Sequence, residues 1–384
     1  MVFHLSLMQS PEYFTAQLEE YLSELQELTA IESPTGNLKQ LELAADFLER
    51  VFSPLSDVER NRIPDHGPLL RCTCNGSGGN VLVLAHFDTV WPVGSWPDLW
   101  RHENGRIFAP GVYDMKGGLL FIAWALRFLH GHGLAHPNLE ILLTPDEEIG
   151  SPGSRPFIEE AARRADAVLV LEPSNLDGVI KLARKGSGEY VVTIHGRAAH
   201  QGVEPERGVN AVVEAAHQVV RILELENPEV GTTLGPNVLN GGTASNMVPD
   251  RAEVRVDVRA WTEDETRRLD KALRSMKPVL DGAQIHVFGG WNRPPMEPTE
   301  ESLELFEVVR SLGERHGEKL EWARWGGSSD ANVAASIGAP TIDGLGPIGE
   351  GSHQYEESIV IDRLPTRLAL FTDLLHALSF LAET

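Results

Sequence analysis

Three apolar runs in the first half of the chain each end on groups that an apolar interior does not tolerate. "NVLVLAHFD" (80–88) leads to His86 and Asp88, "NLEILLTPDEE" (138–148) to Glu147 and Glu148, and "ADAVLVLEPS" (165–174) to Glu172. Unbroken apolar runs of this length read as strands covered on both faces. A helical pattern, "GGLLFIAWALRFL" (117–129), lies between the first and second. Strands alternating with helices imply an α/β fold with a mostly parallel sheet. Ligands of such sheets bind beyond the carboxyl ends of the strands, which is where these polar groups fall. The feature therefore sets the fold class and points to one rim.

Composition narrows the rest. At 384 residues, 42% hydrophobic and 23% charged, the chain has room for two domains and a large core. A formal charge of −23 argues against nucleic acid as a partner, because phosphates need a basic face. Cys72 and Cys74 sit two apart in "RCTCNG" and read as reduced thiols on one face of a strand, since a structural zinc site wants four ligands. Few cysteines fit a reducing cytoplasm. The opening "MVFHLSLMQSPEYF" lacks the basic region of a signal peptide. The most apolar stretch, broken by Arg127, is too short to span a bilayer, so no membrane partner is expected.

The texture changes after residue 180. "GSGEYVVTIHG" alternates like a half-exposed strand, and "GVNAVVEAAHQVVRILELE" is an amphipathic helix. "PNVLNGGTA" and "DRAEVRVDVRAW" read as strands, "TEDETRRLDKALRSMKPV" as a charged helix and "AQIHVFGG" as a last strand. That order, βαββαβ, is the ferredoxin-like unit. It predicts a small domain at 181–293 inserted into a main domain formed by 1–180 and 294–384.

The rim itself gathers His86, Asp88, Asp114 of "GVYDMKGG", Glu147, Glu148, Glu172 and His353 of "GPIGEGSHQYEE". Any one of them has an ordinary use as a cap, a turn residue or a solvated charge. Together they would repel or pay heavily for burial unless cations held them. Imidazole with carboxylate suits Zn²⁺, and less commonly Co²⁺ or Mn²⁺. A pair of ions needs one bridging carboxylate with terminal ligands on each side. That leaves a carboxylate over to act as general base. One member of the adjacent pair Glu147 and Glu148 should hold metal and the other should move protons.

The motifs "AHFDTV", "GVYDMKGG", "DEEIGS", "LEPS", "GRAAHQG", "ASNMVP" and the stretch from "GSSDA" to "GSH" resemble, in order and spacing, the M20 metallopeptidases. That family includes glutamate carboxypeptidases, acetylornithine deacetylases and succinyl-diaminopimelate desuccinylases, and the glutamate carboxypeptidase branch looks nearest. The resemblance implies that His86, Asp114 and Glu172 hold one zinc, and Asp114, Glu148 and His353 the other, with Asp114 bridging. Glu147 would be the general base and then the proton donor to the leaving amine. Asp88 would orient His86 through its second ring nitrogen. The Asp114–Met115 bond is expected cis, and glutamate rather than aspartate at 172 goes with carboxypeptidases and deacylases.

The resemblance also makes the inserted domain a lid and a dimerisation surface. His200 would stabilise the oxyanion, usually from the partner subunit, a contribution of roughly 2.7–4 kcal/mol to the barrier. Asn246, Arg259 and Arg293 match substrate-contacting positions, and an arginine fork suits a carboxylate. Ser328 and Ser329 are expected to line the substrate pocket, and Lys185 aligns only loosely. The implied activity is hydrolysis of an N-acyl amino acid or a short peptide with a free C-terminal carboxylate, by a homodimer. The alternatives are an acetylornithine- or succinyl-diaminopimelate-type deacylase and a non-catalytic metal-binding protein on the same scaffold. Glycoside hydrolysis by the carboxylate pair would leave the histidines unexplained.

Overall fold

The computed structural model describes residues 11–380, so most of the stretch tested for a signal peptide lies outside the described residues. Contacts divide the chain into two compact units, the first made of the chain up to Leu182 with Pro298–Arg324 and Ser329 onward, the second of Ala183–Glu297 with Trp325–Ser328. The division falls near, not at, residues 181 and 293. The short segment 325–328 joins the second unit because the Lys185 N–H donates to the Trp325 carbonyl (3.2 Å) and the Arg184 guanidinium to that of Gly327 (2.9 Å).

The first unit is built on a six-stranded sheet in the order Asp57–Ile63, Gly67–Cys74, Asn138–Thr144, Asn80–His86, Ala167–Val170, Thr341–Ile342. The last four strands run parallel, and the first two form an antiparallel hairpin at the edge. The apolar strands are buried over most of their length, as the runs require. Cys72 and Cys74 lie buried on the hairpin, and burial pushes their thiols up to about 12 and about 11.

Helix Gly117–Gly131 is buried along nearly its whole length. Its first turn approaches the end of strand Ala167–Val170 so closely that a Cβ on Gly118 would lie 2.0 Å from the Leu171 carbonyl oxygen. Glycine is there because nothing larger fits, and the contact fixes the backbone one residue before Glu172. No helix among the described residues is long and apolar enough to cross a membrane.

The second unit is a four-stranded antiparallel sheet in the order Thr233–Gly241, Arg251–Ala260, Gly186–His195, Gln284–Arg293. Helices Ala211–Leu223 and Glu263–Arg274 pack on one face. Tyr190, Val192, Ile194, Val254, Val256 and Val258 meet Ala211, Ala215, Ile222, Leu269 and Leu273 in a separate core. The element order is βαββαβ, the ferredoxin-like unit.

Candidate metal centre

Strand register explains why the acidic groups meet. Asn80–His86 lies between Asn138–Thr144 and Ala167–Val170, with His86 level with Thr144 and Leu84 level with Val170. His86 therefore ends one strand while Glu147, Glu148 and Glu172 follow from the neighbours on either side. Asp114 comes from the turn Val112–Lys116 ahead of the buried helix, and the Asp114–Met115 bond is cis. His353 comes from the loop between strands Gly349–Glu350 and Ser358–Val360, with φ at 63°.

Two donor clusters result. One atom each of His86, Asp114 and Glu172 lie within 4.8 Å of one another, and so do atoms of Asp114, Glu148 and His353. Asp114 belongs to both. Its Oδ1 is 3.2 Å from His86 Nε2, and its Oδ2 is 3.6 Å from His353 Nε2. Glu172 approaches His86 Nε2 at 3.6 Å and Glu148 approaches His353 Nε2 at 3.0 Å. Glu147 is buried, its carboxylate 3.9 Å from His86 Nε2, and it belongs to neither cluster.

The electrostatics reflect this crowding. Burial, with the Asp114 charge beside it, pushes Glu148 up to about 7 against the opposing pull of His353. The hydrogen bond His353 donates to the Glu148 carboxylate raises the imidazole to about 9. Burial alone would lower His86, but hydrogen bonds to Asp114, Asp88 and Glu172 outweigh it and hold the imidazole well above its ordinary value. Nitrogen and carboxylate donors in this arrangement fit divalent cations, which take over the neutralising role these protons perform.

The adjacent glutamates reach one pocket because a short turn, Glu147–Ile149, is capped from below. Asp88 accepts the Glu147 N–H on one oxygen (3.1 Å) and the Glu148 N–H on the other (3.2 Å). The Thr35 hydroxyl donates to the same carboxylate at 2.7 Å. His86 Nδ1 lies 3.0 Å from the Asp88 backbone carbonyl and 3.4 Å from its carboxylate. Asp88 thus reaches the second ring nitrogen through its main-chain carbonyl and, at longer range, through its carboxylate.

The Peptidase family M20/M25/M40 model matches residues 82–377, a span that includes every residue of the two clusters. The chain belongs to that family. It is 32% identical over 355 residues to carboxypeptidase G2 of Pseudomonas sp. (strain RS-16), covering 90% of this chain and 86% of the relative. Among solved structures, the aminopeptidase PepT of Bacillus cereus is similar at a TM-score of 0.79 and 24% identity, over 94% of this chain and 98% of that one. A dinuclear metal-binding M20 peptidase of Bacillus subtilis is similar at a TM-score of 0.66 and 16% identity, with 94% and 98% covered. M20 membership makes the protein a metal-dependent hydrolase of the peptidase class.

The other residues that the resemblance assigned to the site lie in the second unit. His200 pairs with Met247 across a two-residue ladder, which brings it beside Asn246, whose carbonyl accepts the Gln201 N–H at 3.0 Å. His200 Nδ1 accepts the Gly202 N–H at 3.1 Å, so a neutral ring carries its proton on Nε2. Arg259 and Arg293 flank Ser187 from the two neighbouring strands. The Arg259 fork is engaged bidentately by Asp257, at 2.9 and 2.8 Å, while Arg293 is buried. Lys185 lies over the Trp261 ring at 5.5 Å, and burial together with Arg259 lowers its pKa.

The two loop serines part ways. Ser328 meets the Ser187 hydroxyl at 2.9 Å. Ser329 is fully buried, caps helix Asp330–Ser336 and donates to Asp343 at 2.8 Å. Its contacts are those of a helix cap.

Further buried charged residues lie on or beside the segments that carry the two donor clusters. Asp330, buried, accepts the Ser151 hydroxyl and that of Thr144, securing both ends of the segment that carries Glu147 and Glu148. Lys116 is fully buried and donates to the carbonyls of Ile31 (2.8 Å) and Leu28 (3.4 Å), and burial pushes it down to about 7. Glu357, also buried, is pushed up to about 7 by burial and is surrounded by N–H donors. In "HQYEE" nothing separates Glu357 from Glu356, yet Glu356 is exposed and reaches only Arg101 among the described contacts.

Proposed function

We propose that the protein is a dizinc amidohydrolase that cleaves N-acyl amino acids or short peptides beside a free C-terminal carboxylate. The observation that carries this reading is the position of Asp114, with one carboxylate oxygen toward His86 and the other toward His353. In this reading His86, Asp114 and Glu172 hold one cation, and Asp114, Glu148 and His353 the other. When bound, the pair of cations supplies Lewis acidity that polarises the scissile carbonyl and lowers the pKa of a water.

The protein's own groups do the rest. Glu148 has a place in a donor cluster and Glu147 does not, so Glu147 takes the proton from water and returns it to the leaving amine. Asp88 keeps the Glu147 and Glu148 backbone aligned. His200, with its Nε2 proton available, serves as a donor to the developing oxyanion. Asn246, Arg259 and Arg293 are assigned to the substrate, and arginine forks match a carboxylate. For Arg259 that requires exchanging Asp257 for the ligand.

The assembly in this reading is a homodimer through the second unit. Val213, Val220 and Leu223 leave an apolar stripe exposed on helix Ala211–Leu223, and Val238 and Leu239 are exposed on the edge strand Thr233–Gly241. Two buried, unpaired thiols fit a cytoplasmic enzyme. The test is a hydrolysis screen of N-acyl amino acids, acetylornithine and dipeptides with Zn²⁺ supplied. Release of a C-terminal acidic amino acid with the highest kcat/KM supports the reading. A strong preference for acetylornithine would transfer the protein to the deacylase branch.

A further inference from the structure

We propose that Glu357 is the positioning residue that sets Asp114 between the two cation sites, an inference that rests on the two-metal reading above. Glu357 is 1% exposed, and both its oxygens are occupied by donors. Oε1 accepts the backbone N–H of Tyr113 (3.0 Å) and of Asp114 itself (3.0 Å). Oε2 accepts the Trp91 indole N–H (2.8 Å) and the Gly111 N–H (3.2 Å).

One carboxylate therefore ties together the segments that deliver three ligands. Gly111, Tyr113 and Asp114 form the turn of the bridging residue. Trp91 lies three residues beyond Asp88 on the segment leaving His86, and Glu357 lies four residues beyond His353. Asp114 has φ −114° and ψ 91°, outside helical geometry, within a turn closed by the Lys116 N–H on the Gly111 carbonyl at 2.8 Å. The bond that the Asp114 N–H donates to Glu357 restrains the residue itself.

The chemistry demands a carboxylate at 357. All four groups aimed at the side chain are donors, two on each oxygen. A carboxamide would turn its NH₂ toward two of them whichever way it flipped. Glu357→Gln is therefore nearly isosteric yet leaves buried donors facing a donor, and the turn carrying Asp114 must shift to relieve it.

The test uses full-length metal-free protein titrated with Co²⁺, followed by visible absorption and calorimetry, with thermal unfolding in chelator as the fold control. Wild type should bind two Co²⁺. Glu357→Gln should weaken both sites together by about 10–100-fold, the usual cost of losing a partner that orients a ligand. His353→Ala should weaken one site and spare the other. Trp91→Phe, which keeps the three backbone donors, should stay close to wild type.

A folded Glu357→Gln variant with two wild-type affinities, or with only one site weakened, overturns the proposal. A residue that served folding alone would lower the melting temperature in chelator without changing the Co²⁺ spectrum. If Glu357→Gln does not fold, Glu357→Asp decides, because its shortened carboxylate should weaken both sites and wild-type affinity would sink the idea. Failure of wild type to bind Co²⁺ at all removes the two-metal reading instead, and the two failures are thereby told apart.

Discussion

Each carboxylate at the rim takes its role from what its neighbours donate. Asp88 meets two backbone N–H groups and a hydroxyl, Glu357 meets four N–H groups, and Asp114 and Glu148 meet imidazoles. Glu147 stands apart from the ligand clusters, so Glu147→Gln should cut kcat by about 10²–10⁴-fold while the protein still binds its metals. Metal analysis alongside steady-state kinetics checks this, and loss of metal would make Glu147 a ligand. Asp88→Asn should behave differently. It offers one acceptor where two N–H groups need one each, so metal affinity should fall by about 10–100-fold. Calorimetric titration measures that loss, and an unchanged affinity would rule out the capping role. Donor chemistry alone left Glu147 and Glu148 interchangeable and only the resemblance told them apart; the turn that carries both is capped by Asp88, 59 residues away along the chain.

Elements legible in the sequence were those with strong patterning. The apolar runs, the buried helix and the βαββαβ order all appear where the periodicity puts them. The strand Asp57–Ile63 escaped reading because it lies at the sheet edge, exposes alternate residues and carries charges that solvent can satisfy. Packing at element contacts gives a paired prediction. Gly118→Ala forces a methyl group against the Leu171 carbonyl and should destabilise the protein by about 1–3 kcal/mol, whereas Gly131, with nothing within 4 Å, should accept alanine without loss. Thermal unfolding of the two variants tests this; equal melting points would contradict the close approach. A second case is Glu214, buried in helix Ala211–Leu223. Burial raises its pKa, but N–H groups of Leu280 and Val279 and the Gln218 amide outweigh that and hold it below the ordinary carboxylate value. A depressed folded pKa stabilises above the unfolded value of about 4.3 and is lost as pH falls through the folded one. Glu214→Gln should therefore cost about 1–3 kcal/mol near neutral pH, with the difference from wild type shrinking in acid. Denaturant unfolding across pH 2–7, chosen to span the carboxylate range, would show it.

At the scale of the molecule, cation binding and folding are linked. Chelation should abolish hydrolysis and lower the melting temperature, and Zn²⁺ at about a hundred times its Kd should restore about 2.7 kcal/mol per site. Activity surviving exhaustive chelation would remove the metal centre from the reaction. Association should depend on the apolar stripe of the second unit, so Val220→Asp should yield monomers in sedimentation, and an unchanged species would place the interface elsewhere. Sequence by itself determined the sheet class, the rim on which the polar groups gather and the residue types able to hold metal, because burial periodicity and donor chemistry are local properties. Local chemistry left open which carboxylate faces both imidazoles and which of Glu147 and Glu148 joins a cluster; the resemblance implied Asp114 and Glu148, and only the tertiary structure gives the distances and adds Glu357 on the turn. Those facts depend on strand register and on loops from distant parts of the chain meeting, and no spacing along the chain encodes a distance across it.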